Sequence, residues 1–178
     1  GTTLTTSYVA VYLGNWFTIY AYVRIVNQGL SDLRKWGGSI NEEDFNRLEG
    51  EIRFFRAWLY TDLLKRYKSV ILYDEDMTQI QSEKALSSEE DGWDMVEADL
   101  RFAANNLPIA NKAKPGVNTR VTSGAAYGLM SRAMLYAKRW NVVEEAYTAL
   151  EEMEFNGAKV YDLETNYSKV FASDIAPN

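Results

Sequence analysis

No histidine and no cysteine occur among these 178 residues. The first absence removes the Ser/His/Asp triad, the imidazole general base and most zinc sites. The second removes thiol nucleophiles and thiolate metal clusters. A cysteine-free chain suits any redox compartment, so that count says nothing of location. Any run of Lys or Arg is also lacking, and 19 basic residues against 25 acidic ones leave a formal charge of −6. That balance argues against a surface that tracks a phosphate backbone. Gly1 to Val23 carries no charge. Its apolar part is short, rich in tyrosine and broken by Asn15 and Thr18, which reads as a buried helix rather than a membrane span. The segment has neither a basic n-region nor an initiator Met, so it does not read as a signal peptide, and the chain reads as a fragment or a processed product.

What is present is the composition of a folding chain, 47% apolar and 25% charged, with 13% aromatic residues that need burial or a ligand. Apolar residues at steps of three and four, among them Trp16, Ile19, Tyr20, Val23, Val26 and Leu30, predict a helix from about Ser7 to Leu33, broken by Trp36-Gly37-Gly38. Asn41 ahead of Glu42, Glu43 and Asp44 predicts the cap of a second helix reaching Tyr67. Its expected core face is Phe45, Leu48, Ile52, Phe55, Leu59 and Leu63, with Gly50 admitting a neighbouring helix. Val70 to Tyr73 reads as an extended connection. Ser87 with Glu90 fits a capping box for a third helix ending before Pro108, and a polar loop follows from Ile109 to Asn118. Thr122 caps a fourth helix to about Arg139. A fifth runs from about Val142 to Phe155 and stops at Asn156-Gly157, read as a left-handed C-cap. Alanines at 125, 126, 133, 137, 146 and 149 predict a close hairpin of these last two helices. Loop and a final helical turn follow Gly157. The pattern predicts one all-α domain over residues 1–178, built of stacked antiparallel helix hairpins in a tetratricopeptide-like right-handed superhelix.

Beyond periodicity, the chain carries an ordered set of signals. Trp16, Tyr20 and Asn27 come first, then Gly50-Glu51 with Arg53, Phe54, Arg56 and Ala57, then Tyr60. Trp93 to Leu100, Ala103 to Pro108, Arg120-Val121-Thr122 with Gly124-Ala125-Ala126, Leu135-Tyr136, Trp140 and Tyr161 to Phe171 complete it. Over nearly its whole length this order resembles the SusD/RagB family of bacterial outer-membrane nutrient-binding lipoproteins. The resemblance implies a helical scaffold forming the N-terminal part of a longer protein, anchored by a lipidated cysteine that this chain lacks. It implies a protein that sits on a SusC-like TonB-dependent transporter and hands it oligosaccharides or peptides, binding without catalysis. Most ligand contacts would lie outside these residues, leaving this part mainly protein-facing. Lys68-Ser69 and Ile71-Leu72 stand where the family often has Gly-Gly and a Val-Pro-Leu run.

The element GE-x-RF-x-RA is read as structural: Gly50, Glu51, Arg53 and Arg56 belong to the scaffold. Glu49 pairs with Arg53 at i, i+4, and a buried arginine must find carboxylate or carbonyl partners. Aromatic rings stack on the apolar faces of sugars, so the candidate ligand contacts are the aromatics outside helix interiors, Tyr8, Trp36 and Tyr73. Trp16, Trp58, Trp93 and Trp140 are expected in the core. Asp74-Glu75-Asp76 and the pair Asp91 and Asp94 lack the spacing of a calcium loop or the setting of a glycosidase, and read as solvated acids. No catalytic, metal or cofactor site is expected. The competing reading is a tetratricopeptide-like adaptor that binds a peptide or protein in a concave groove and has no glycan role.

Overall fold

A short polar side chain fixes the start of three helices. In the computed structural model, which describes residues 15–75, 84–109, 120–163 and 165, Asn41 Oδ1 accepts from the Asp44 amide at 2.9 Å, Ser88 Oγ from Asp91 at 3.0 Å and Thr122 Oγ1 from Ala125 at 3.3 Å. Acids fill the first turns after Asn41 and Ser88 and meet the positive end of the helix dipole. The third cap is therefore Ser88, one residue later than the sequence suggested. Ser87 instead turns its hydroxyl back to the Val70 carbonyl at 2.8 Å.

Among the described residues there are five helices: α1 Trp16–Trp36, α2 Glu42–Tyr67, α3 Glu89–Asn106, α4 Ser123–Ala137 and α5 Trp140–Glu151. A 3-10 turn, Gly37–Ser39, joins the first two. Each helix packs on the next in sequence, and α2 also touches α4. This is an all-α, tetratricopeptide-like stack of helix hairpins. The core is a layer of side chains with no exposure, including Val23, Tyr60, Leu63, Val96, Leu100, Met130 and Met134. Ala126, Ala133 and Ala146 are likewise fully buried where α4 meets its neighbours, since a methyl side chain keeps the helix axes close. The space a Cβ would need at Gly50 is bounded by Leu107 at 3.4 Å and the Ala103 Cα of α3 at 3.6 Å.

Several sequence expectations need correction. The fifth helix ends at Glu151, not Phe155, and two short strands follow, β1 Glu154–Phe155 and β2 Ala158–Lys159, paired antiparallel. Asn156 and Gly157 have φ of 55° and 77°, so the pair makes a hairpin turn that needs positive φ at both centres rather than a helix cap. Phe55, Trp58 and Trp140 are exposed, at 42%, 51% and 61%. The buried stripe of α2 runs instead through Gly50, Arg56, Ala57, Tyr60, Thr61, Leu63 and Leu64, because α1 and α3 flank this helix and enclose a charged cluster centred on Arg56. Trp140 is the first residue of its helix, at the outer end of a hairpin. Trp93 is buried at 3%, and Trp16 is half-buried against Tyr20 and Tyr67, with ring centroids 4.7 and 4.9 Å apart. Residues 7–14 of the first expected helix, most of the loop to Asn118 and the expected final turn lie outside the described residues.

Candidate functional site

Charged side chains from three helices and one connection meet inside the stack. Arg56 of α2 is 5% exposed and Asp99 of α3 2%. Arg56 Nε donates to Asp99 Oδ2 at 2.6 Å and Nη2 to Oδ1 at 2.8 Å, the two-pronged geometry that suits guanidinium to carboxylate. Arg56 Nη1 donates to Asn27 Oδ1 of α1 at 3.0 Å and to Glu75 Oε2 at 2.9 Å. Arg34 of α1 donates to Glu75 and to Glu49, and Glu49 also accepts from Arg53 Nε at 2.8 Å. Arg53 stacks on Phe102 with its guanidinium 4.2 Å from the ring centre. Burial works against the charge of Arg56, and the contacts with Asp99 and Glu75 overcome it, so its pKa is raised. Burial also pushes Glu75 up, but its own amide and the two arginines pull it down to about 2. Every charge here is neutralised by another; Glu75, read from sequence as a solvated acid, is part of the network.

The connection leaving α2 is held by the same helices. The Tyr20 hydroxyl donates to the Ile71 carbonyl at 3.1 Å and accepts from the Ile71 amide at 2.7 Å. The Tyr60 hydroxyl accepts from the Tyr73 amide at 2.7 Å, and Asn27 Nδ2 donates to the Tyr73 carbonyl at 2.9 Å. Extended backbone that would otherwise need a partner strand is thus satisfied by side chains. Lys68 begins this connection with φ 61° and ψ −62°, and the Ser69 amide donates to the Tyr67 carbonyl at 2.6 Å. That is a γ-turn with a lysine at its strained centre.

The candidate ligand aromatics fall in different settings. Tyr8 lies outside the described residues. Trp36 is 70% exposed at the end of α1, with Lys35 Nζ 4.7 Å from its ring centre. Tyr73 is half-buried, its ring edge-on to Tyr20 at 5.6 Å. Neither Trp36 nor Tyr73 lines the two clefts beside α4. The other motif residues pair off across the stack: Arg120 binds Glu51 with two bonds of 2.7 and 2.6 Å, and the Tyr161 ring covers the bare backbone of Gly124. Asp94 is engaged by Arg139 at 2.6 Å and Asp91 by the Ser88 cap, so neither is set up as an acid or base. Among the described residues no three metal-ligating side chains converge, and no helix is long and apolar enough to cross a membrane.

Two clefts open beside α4. One, of about 390 Å³, is walled by Phe54 and Trp58 of α2 and by Leu129 and Arg132 of α4. The other, of about 330 Å³, lies between α4, α5 and the segment after them, with Tyr147, Tyr161, Glu151, Lys159 and Asp162 in its lining. Sequence periodicity passes over these residues, because a half-exposed aromatic on a helix carries no local signal that separates core from cleft.

Known proteins align with this scaffold. Residues 2–135 match a SusD-like family model described as starch-binding and associating with the outer membrane. A SusD-like protein of Bacteroides ovatus is 25% identical over 93% of this chain and 27% of its own length. A SusD-like protein of Bacteroides fragilis superposes with a TM-score of 0.70 at 32% identity, covering 79% of this chain and 27% of that one. A laminarin-binding SusD-like protein superposes at 0.71 with 21% identity over 87% of this chain and 33% of its own, a likeness of fold. The chain thus spans about a quarter to a third of these relatives. With three quarters of the sequence matched, the chain belongs to the SusD-like family.

Proposed function

We propose that this chain is the scaffold portion of a non-catalytic protein of the bacterial outer-membrane glycan uptake system, one that captures oligosaccharide and passes it to a SusC-like TonB-dependent transporter. The single observation that carries the reading is the family match over residues 2–135, with its starch-binding description. The buried chemistry is consistent with it. Arg53, Arg56, Glu49, Glu75 and Asp99 are spent on one another, and a side chain tied into such a network holds shape rather than moving protons. The whole protein would sit at the cell surface as a lipoprotein, and Trp36, with its ring largely in solvent, is the first of the proposed ligand contacts to mutate; Tyr8 and Tyr73 follow.

The test is calorimetry and affinity electrophoresis of the intact protein against plant and host glycans, with co-purification of the transporter as a second readout. Saturable binding without turnover, and recovery of a TonB-dependent transporter, support the reading. A protein that binds no oligosaccharide and recovers no transporter overturns it in favour of the tetratricopeptide-like adaptor.

A further inference from the structure

Gly128 lies in mid-α4 and lines both clefts. A glycine there costs the helix about 1 kcal/mol relative to alanine, and the other glycines of the helices repay it with close packing. A Cβ at Gly29 would touch Ile52, one at Gly50 Leu107, one at Gly92 Leu64 and one at Gly124 Tyr161, whereas at Gly128 nothing stands within 4 Å. Its missing side chain has no packing cause among the described residues. What it does is leave the ridge between the two clefts bare.

We infer that the two clefts form one elongated subsite for a neutral oligosaccharide, laid across α4 at Gly128. Backbone that must be approached closely by a ligand is a place for glycine. The rings that flank the crossing are half-exposed, Trp58 at 51% on one side and Tyr147 at 49% and Tyr161 at 39% on the other, and such faces accept the apolar faces of sugar rings. Polar groups are few and of both signs: Arg132 beside Trp58, and Glu151, Asp162 and Lys159 beside the tyrosines. Two positive and two negative side chains favour a neutral, hydroxyl-rich ligand over a phosphate or a polyanion. Each cleft falls in the range of about 300–1,000 Å³ usual for small-molecule sites, and the pair suits a chain longer than one ring.

This subsite rests on the glycan-binding reading, so the experiment separates the two. Calorimetry of the intact protein uses neutral gluco-oligosaccharides with β-1,3, β-1,4 and α-1,4 linkages, each as disaccharide and hexasaccharide. A Cβ at Gly128 meets no described atom within 4 Å and a side chain there favours the helix, so Gly128→Leu is expected to fold while it fills the ridge. The expected result is a loss of about tenfold or more in hexasaccharide affinity, with a smaller loss for the disaccharide, and a matching loss in Trp58→Ala and Tyr147→Ala. Hexasaccharide affinity unchanged within about twofold in Gly128→Leu overturns the subsite while leaving glycan binding intact. A uronate oligosaccharide that competes better than the neutral one also overturns it. Failure of the unmutated protein to bind any glycan refutes the broader reading.

Discussion

Arg56 keeps its charge at 5% exposure because Asp99, Asn27 and Glu75 take up its donors. Removing one partner leaves the other charge stranded. Asp99→Ala is expected to lower unfolding free energy by about 3–5 kcal/mol, and the double change Arg56→Met with Asp99→Leu by clearly less than that single change, both measured by urea titration. Equal losses in the single and double variants would show that packing, not pairing, dominates at this point. Lys68 gives the opposite sign. Its φ of 61° is costly for a residue with a Cβ, and the resemblance places glycine here, so Lys68→Gly is expected to raise stability by about 1 kcal/mol. A melting temperature that falls on this change would mean that the lysine side chain makes up for the strain.

At the scale of elements, capping and tyrosine hydroxyls do most of the positioning. Ser88→Ala removes the acceptor for the Asp91 amide and should cost about 1 kcal/mol, with fraying confined to the first turn of α3. Tyr60→Phe leaves the Tyr73 amide without its acceptor, at a cost of about 1–3 kcal/mol. Hydrogen exchange at Tyr73 should then accelerate while exchange in mid-α2 changes only with global stability. An unaltered Tyr73 rate would show that another group holds the connection. The helices themselves were legible from apolar spacing and from Asn41, Thr122 and Pro108, because caps and periodicity are local. The end of α5 was not, since Asn-Gly serves a helix stop and a hairpin turn alike, and only the pairing of Glu154 with Lys159 and Phe155 with Ala158 separates them.

For the whole molecule, pH acts through the same network. Glu75 moves from an ordinary value of 4.5 to about 2 in the fold, so its stabilisation is complete above 4.5 and is lost as pH falls toward 2. Burial raises Tyr20 from 10.0 to about 12, so its contribution holds below 10 and is lost as pH rises toward 12. Chemical denaturation across pH should show both limbs, and Glu75→Gln should lower stability near neutrality and flatten the acid one. The stack also decided what a helical wheel does not contain. Phe55 and Trp58 face outward and Arg56 inward, although all three sit in one aromatic-rich helix, because α1 and α3 bring Asn27 and Asp99 to the arginine. The sequence by itself determined the helical class, the starts of the three capped helices to within a residue and the family resemblance, since caps, periodicity and motif order are written along the chain. Only the tertiary structure decided which charges are buried together, which aromatics line a cleft and that Gly128 stands between two clefts, because these depend on residues up to tens of positions apart meeting across helix faces.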